Sequence, residues 1–331
     1  MKIVREIKKG SAVILAFALL LSGAVLSEVQ AALEIDTNKK GSVTFQLDGD
    51  LDGDFEELKE LEIPVKLYQV AEVDTSGAYK ALTGFEDLKL EEITSETTAA
   101  EWEEKAKLAS GIIDEKEDAK EDKSCTITGG TGKVEELSVG MYLVKADTVL
   151  SPEYEYSFTP YLISVPNNYW ATSGDDTWVY DVTTGLKPGR ENRLGSLVIN
   201  KTLTSFNSTL GPASFVFQVE GEKDYEQVYS NVVSVVFDGT GTKSIQIDDL
   251  PAGATFTVTE IYSGASYKLT TAPSQTTKII AEGEEGSPVS VSFTNTYDER
   301  MNGGASIVNH FTNTDGVWDW QQQTDSTVTV E

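Results

Sequence analysis

Three short stretches in the C-terminal half of the chain carry residue types that fit a single reaction. They read Leu197-Val198-Ile199-Asn200-Lys201, Phe256-Thr257-Val258-Thr259-Glu260 and Val289-Ser290-Val291-Ser292-Phe293-Thr294-Asn295. Each alternates like a strand, and each ends on a polar residue where an apolar one is expected. Side chains on a strand change face with a period of two. Lys201 therefore shares a face with Leu197 and Ile199, Glu260 with Phe256 and Val258, and Asn295 with Val289, Val291 and Phe293. If the apolar face is the core face, an amine, an acid and a carboxamide all point inward. Burying an unpaired ammonium or carboxylate is costly, so such groups shift their pKa or find partners.

An amine, an acid and a carboxamide are what a spontaneous Lys–Asn amide bond needs. At its ordinary pKa a lysine is protonated and not nucleophilic. Desolvation moves lysine toward the neutral amine and glutamate toward the neutral acid. The amine of Lys201 would then attack the carboxamide carbon of Asn295. Glu260 would polarise the carbonyl and pass protons to the departing ammonia, while rigid strands supply proximity. Taken singly, each residue has an ordinary reading. A strand lysine snorkels to solvent, a lone glutamate is exposed, and an asparagine at a strand end makes a turn bond. Asn309, in Ile307-Val308-Asn309-His310-Phe311, is a competing acceptor ranked below Asn295.

The elements that would position these residues follow from the rest of the 331-residue chain. Residues 1–31 read as a secretory signal peptide. Lys2, Arg5, Lys8 and Lys9 form a basic start, Ser11 to Leu26 an apolar run, and Val29-Gln30-Ala31 a small-residue cleavage site. Removing them takes the formal charge from −28 to −30. A chain this acidic is a poor ligand for nucleic acid or anionic membrane, since both attractions need Lys/Arg surfaces. Cys125 is the single cysteine, so no intramolecular disulfide can brace an exported fold. His310, the single histidine, lies in the C-terminal tail, which nearly removes Ser-His-Asp, Cys-His and multi-histidine metal sites from consideration. No metal and no cofactor are expected.

Gly41 to Leu47 alternates like a strand, and Asp48 to Asp54 follows as an acidic turn. Its Asp48-x-Asp50-x-Asp52-Gly53 spacing imitates a calcium loop, but the twelfth position is Lys59 where a bidentate glutamate is required. Ile63 to Val73 is a second strand. Around residues 98–109 a Thr cap, early acid and good helix formers predict a helix, with Trp102, Ala106 and Ala109 or Ile113 as its buried stripe. Strand patterns resume at Gly140–Val144, Tyr161–Pro166 and Trp178–Val182, before a Lys187-Pro188-Gly189-Arg190 linker. From Leu194 at least six short strand candidates follow, spaced like a β-sandwich. Gly195 to Lys201 echoes Gly41 to Leu47 position for position, which suggests two related sandwiches. Leu47 stands where Lys201 does, so no such bond is expected in the first. In the tail, 299–331, Ser326–Glu331 could be an edge strand. It shows no LPxTG-like sorting pentapeptide, apolar span or basic end.

Phe256-x-Val258-x-Glu260 followed by Tyr267 keeps the spacing of the YxLxE…GY motif of Cna-B-type domains, and Phe293-Thr294-Asn295 matches their terminal FTN pattern. Residues 194–298 thus resemble these Ig-like sandwiches of Gram-positive surface proteins and pilins. Ile261 replaces the usual threonine, and Ser263-Gly264 stands for an Ala-Pro pair. The resemblance implies a first-strand lysine bonded to a last-strand asparagine with a glutamate assisting, which places those roles on Lys201, Asn295 and Glu260. Residues 35–190 resemble the N-terminal domain of sortase-assembled pilins. Trp178-Val179-Tyr180-Asp181-Val182-Thr183-Thr184-Gly185-Leu186-Lys187 stands for its WxxxVxVYPK motif, which would make Lys187 the intersubunit lysine, although VYP has become Thr-Gly-Leu. A linker lysine beside Pro188 is the alternative.

The expected fold is all-β: two tandem Ig-like β-sandwiches, the first with a short helical insertion, over 32–190 and 191–298. The expected role is a secreted, surface-associated structural protein, pilin-like or adhesin-like, whose only chemistry is done once on itself. Its partners would be other pilin subunits joined by a sortase, or a host protein or glycan, with no nucleic acid and no membrane after signal cleavage. Two other classes stay open. A secreted binding module would use aromatics such as Trp170, Trp318 and Trp320. An exported hydrolase would use paired carboxylates, but no concave-site motif accompanies any pair.

Overall fold

The computed structural model describes residues 34–47, 53–94, 96–116, 120–168, 177–299, 308–314 and 317–323. The last two stretches and residues 53–54 are described by backbone alone. The expected signal peptide, residues 48–52 of the acidic turn, Trp170 and Ser326–Glu331 lie outside the described residues. The chain divides into two compact units, one ending at Leu194 and the other beginning at Gly195.

The first unit opens with β1 (Gly41–Gln46), β2 (Ile63–Val73), β3 (Tyr79–Ala81) and α1 (Ala99–Asp114). There follow β4 (Lys123–Ile127), β5 (Thr131–Leu137), β6 (Gly140–Ala146), β7 (Val149–Leu150) and β8 (Tyr154–Phe158). It ends with β9 (Tyr161–Val165), β10 (Asn167–Asn168), β11 (Trp178–Val179), β12 (Asp181–Thr184) and β13 (Pro188–Asn192). The central sheet runs β3-β2-β6-β9, with β4 also paired to β2, and a second sheet runs β12-β1-β5.

The runs Met141-Tyr142-Leu143-Val144 and Tyr161-Leu162-Ile163 do not alternate with polar residues because both faces of the central sheet are covered. Val65, Leu67, Tyr142, Val144 and Ile163 pack in one core with Val43, Phe45 and Val134 of the second sheet. Tyr68, Val70, Met141, Leu143 and Leu162 pack in another core with Trp102, Ala106, Ala109 and Ile113 of α1. The helix starts as its sequence requires. Thr98 and Glu101 form a capping box, the Thr98 side chain accepting from the Glu101 N–H and the Glu101 side chain accepting from the Thr98 N–H. It runs beyond residue 109 to Asp114, because the buried stripe continues to Ile113 and outweighs the roughly 1 kcal/mol that Gly111 costs a helix interior.

The second unit is a two-sheet sandwich. Its strands are β14 (Leu194–Leu203), β15 (Ala213–Lys223), β16 (Glu226–Phe237) and β17 (Gly241–Pro251). After them come β18 (Thr255–Tyr262), β19 (Tyr267–Leu269), β20 (Ser274–Lys278) and β21 (Val289–Tyr297). One sheet runs β17-β14-β21-β19 and the other β16-β15-β18-β20. Leu197, Ile199, Val291 and Phe293 of the first meet Phe215, Phe217, Phe256 and Val258 of the second in one core. First and last strands pair in parallel, from Leu197 opposite Val289 to Leu203 opposite Asn295. The same relation recurs in the first unit, where β1 and β12 pair in parallel from Ser42 opposite Asp181 to Phe45 opposite Thr184.

One stretch differs from expectation. Lys187–Arg190, read as a linker from its Pro and Gly, leads into β13, which pairs along β8 from Pro188 opposite Phe158 to Asn192 opposite Tyr154. Strand β13 is an edge, where a proline's missing N–H costs no ladder bond. The tail holds a hairpin of β22 (Val308–Thr314) and β23 (Val317–Gln323), with Asn309 opposite Gln322 and Phe311 opposite Trp320.

Candidate functional site

Strand alternation carries all three polar residues into the second sandwich. On β14 the buried register runs Leu197, Ile199, Lys201, Leu203; on β18 Phe256, Val258, Glu260; on β21 Val289, Val291, Phe293, Asn295. Lys201 and Asn295 are 0% exposed, and the Glu260 side chain is likewise 0% exposed. Lys201 sits opposite Phe293 in the β14–β21 ladder, so its side chain reaches diagonally to Asn295 on the adjacent strand. Glu260 comes from the facing sheet.

The three groups close a ring of contacts. Lys201 Nζ donates to Glu260 Oε2 at 2.5 Å and also to Asn295 Oδ1. Asn295 Nδ2 donates to Glu260 Oε1 at 2.7 Å and to the Ser263 carbonyl at 3.1 Å. Each carboxyl oxygen thus serves a different nitrogen. Glu260 touches the amine and the carboxamide nitrogen. The carbonyl oxygen, which the sequence reading gave to Glu260, faces Lys201 instead. Among the described residues no buried side-chain nitrogen or oxygen lacks a hydrogen-bond partner, so the burial penalty of these groups is met inside the site.

The roof is aromatic. Lys201 Nζ lies 4.5 Å from the ring centroid of Phe215 and 5.6 Å from that of Phe217. Phe217 packs on Phe293 at 5.1 Å, and Phe215 meets Tyr267 edge-on at 5.8 Å. Burial in this cage lowers the Lys201 amine below its ordinary pKa, against the hydrogen bond and charge of Glu260. A carboxylate neighbour favours the ammonium, but the apolar walls disfavour it more.

Two further features hold the acid and the leaving nitrogen. The β15–β18 ladder shifts register between Val216 and Phe217, so that Phe217 faces Glu260 while Val216 faces Tyr262. Ile261 is the extra residue of this bulge, and alternation stops after Glu260, leaving Ile261 and Tyr262 exposed. The chain then turns through Gly264 at φ +79°, a left-handed conformation suited to glycine, presenting the Ser263 carbonyl to Asn295. The Phe215-x-Phe217-x-Val219 alternation on β15 was the available signal for the roof. The Ser263 carbonyl, a backbone group, left none.

The other candidates fall elsewhere. Asn309 lies in the backbone-described hairpin. Lys187 lies in the first unit, half-buried, its Nζ 5.7 Å from the Tyr161 ring centroid. Burial lowers its pKa, opposed by the charge of Glu103 on α1. Leu47 is buried in the first unit's core with Leu186, and no lysine is buried among the described residues of that unit.

A family model described as a domain of unknown function (DUF5979) matches residues 197–298, the span that holds all three site residues. No curated protein matches the chain. Among solved structures it is similar to a streptococcal ancillary pilin, at 13% identity over 87% of this chain and 84% of that one, with a TM-score of 0.24. It is similar to the full-length major pilin SpaD from Corynebacterium diphtheriae, at 12% identity over 80% of this chain and 99% of that one, TM-score 0.28. It is also similar to GBS52, the minor pilin of Streptococcus agalactiae, at 13% identity over 80% of this chain and 100% of that one, TM-score 0.24.

Proposed function

We propose that the chain is an exported, pilin-like or adhesin-like surface subunit whose second sandwich closes a Lys201–Asn295 amide bond on itself. The observation that carries this reading is the buried ring of Lys201, Glu260 and Asn295, in which a nucleophile, an acid and a leaving nitrogen already touch.

The reaction balances within the three residues. A proton passes from the Lys201 ammonium to Glu260 Oε2, leaving a neutral amine beside a neutral acid. The amine nitrogen bonds to Cγ of Asn295, and the Cγ–Nδ2 bond breaks. Glu260 gives the proton it has received to Nδ2 and then takes a second proton from Nζ, so a single carboxyl serves first as acid and then as base. Ammonia leaves, a neutral secondary amide stays, and Glu260 ends protonated. No cofactor enters the scheme, and each molecule reacts once. The site is water-poor and its groups are held by packed strands, which supplies proximity without reorganisation.

The topology gives the bond a mechanical meaning. β14 and β21 are the first and last strands of the sandwich and run in parallel, so tension on the sandwich's two ends shears them against each other. A covalent bond between Lys201 and Asn295 shunts that load past everything between them, 94 positions along the chain. That suits a structural subunit under tension better than a catalyst. Export by the expected leader would deliver it to the surface. Lys187, half-buried with a lowered pKa, would be the amine through which a sortase joins it to the next subunit.

Tryptic mapping tests the crosslink. A single branched species joining the Lys201 peptide to the Asn295 peptide supports it. Recovery of both as separate linear peptides rejects it.

A further inference from the structure

The backbone of Asn295 is pinned on both sides, opposite Leu203 of β14 and Leu269 of β19. The freedom left to its carboxamide is a half-turn about Cβ–Cγ, which exchanges Oδ1 and Nδ2 with little change of shape. That exchange decides the chemistry. As the site stands, Nδ2, the atom that must leave, faces Glu260 Oε1 at 2.7 Å, and Oδ1 faces the Lys201 amine. Turned over, Nδ2 would donate to the lone pair that Lys201 needs for its attack.

Glu260 does not choose between the two orientations. A carboxyl accepts when ionised and donates when protonated, so it can meet a nitrogen or an oxygen. The neutral amine of Lys201 is equally tolerant. The Ser263 carbonyl does choose. A backbone carbonyl only accepts, so the atom 3.1 Å from it must carry a hydrogen. A carboxamide nitrogen carries two, one for Glu260 and one for Ser263. A carboxyl at the same place carries at most one, and would set an oxygen against an acceptor where residue 295 is 0% exposed.

The turn behind Ser263 aims this carbonyl. Gly264 holds φ +79°, and a β-carbon there would stand 3.2 Å from Tyr267 Cδ2, 3.3 Å from the Ser214 carbonyl oxygen and 3.4 Å from Phe215 Cε1. Phe215 is the ring beneath which the Lys201 amine lies, so the turn is packed against the roof of the site. Any larger residue at 264 meets both backbone strain and these walls, and must shift the turn.

We propose that the Ser263 carbonyl, aimed by Gly264, orients the carboxamide of residue 295 and makes the site select asparagine over aspartate as the acceptor. This selection rests on the crosslinking reading above and adds a group to it. The carbonyl gains as the reaction proceeds, because Nδ2 takes up a proton on its way to ammonia and becomes a stronger, positively charged donor. Aspartate makes a controlled comparison, since both routes end in the same amide. With asparagine the Nζ–Cγ bond forms, Cγ–Nδ2 breaks and ammonia leaves. With aspartate the same bond forms, Cγ–Oδ2 breaks and water leaves.

The chain from Ala32 onward, made by cell-free synthesis, is followed by intact mass over time. Wild type is compared with Asn295→Asp, Gly264→Ala and the double variant. Asn295→Asp is expected to lose water at least about tenfold more slowly than wild type loses ammonia. Gly264→Ala is expected to slow ammonia loss and to speed water loss, because it moves the carbonyl away from residue 295. A turn that served the fold alone would slow both reactions alike, since they share one product. Equal slowing therefore overturns the proposal. So does an Asn295→Asp as fast as wild type, a Gly264→Ala that keeps the wild-type rate, or a double variant no faster than Asn295→Asp. A wild type that never loses ammonia overturns the crosslink and this selection with it. Once wild type loses ammonia, the remaining outcomes bear on Ser263 alone.

Discussion

Replacing Lys201 by methionine isolates the worth of the proposed amide bond. The four-carbon stem of Lys201 already fills the space beneath Phe215 and Phe217, so methionine restores most of the packing and adds little. What it removes is a covalent closure between residues 94 positions apart. On the chain-entropy relation used for disulfides, closing a loop of that length restricts the unfolded chain by about 4.7 kcal/mol. A domain of about 100 residues shifts its melting point by ~4–8 °C for each kcal/mol. Lys201→Met should therefore lower the second unit's transition by roughly 20–40 °C. Lys201→Met also leaves Glu260 buried without its cationic partner, held by the Asn295 hydrogen bond at 2.7 Å, so the loss of that ion pair adds to the loss of the closure. Differential scanning calorimetry, with the mass of each sample checked beforehand, reads the shift. A second-unit transition within about 5 °C of wild type would refute the reasoning, since that is close to 1 kcal/mol.

Further outcomes follow from the same geometry. In Asn295→Ala the amine has no acceptor and stays a titrating group whose folded pKa is depressed by burial. The unfolded chain then binds the extra proton between the depressed folded value and the ordinary value of about 10.4, so stability should rise with pH through that window. Lys201→Met should be flat there, and denaturant melts at several pH values compare the two. Thr98→Ala removes one half of the capping box and should cost about 1 kcal/mol, read from denaturation of the first unit. Lys187→Arg keeps the charge but not the attacking amine. If Lys187 is the joining amine as proposed, wild-type chain in cells carrying a cognate sortase should give a covalent high-mass ladder and Lys187→Arg should give none.

The central triad was legible in sequence because a buried strand obeys a period of two without regard to its neighbours. Once Leu197-x-Ile199, Phe256-x-Val258 and Phe293 fixed the inward register, Lys201, Glu260 and Asn295 had to follow. The echo between Gly41–Leu47 and Gly195–Lys201 likewise survives as a shared first-strand position, paired in parallel with a later strand in both units. Features that depend on a partner strand were not legible. The bulge at Ile261 exists only relative to β15, and the carbonyl of Ser263 has no residue-type signature. Pro188 and Gly189 read locally as a break, yet the β8 ladder overrides that preference at a sheet edge. The helix α1 runs on to Asp114 because burial of Ile113 extends its apolar stripe, a tertiary contact that local propensity does not carry.

The most direct test of the account is the intact mass of the chain from Ala32 onward, measured beside Glu260→Ala. The account predicts a wild-type mass below that of its sequence by one ammonia, with the full sequence mass in the variant. A wild-type protein at its full, unmodified mass would contradict it.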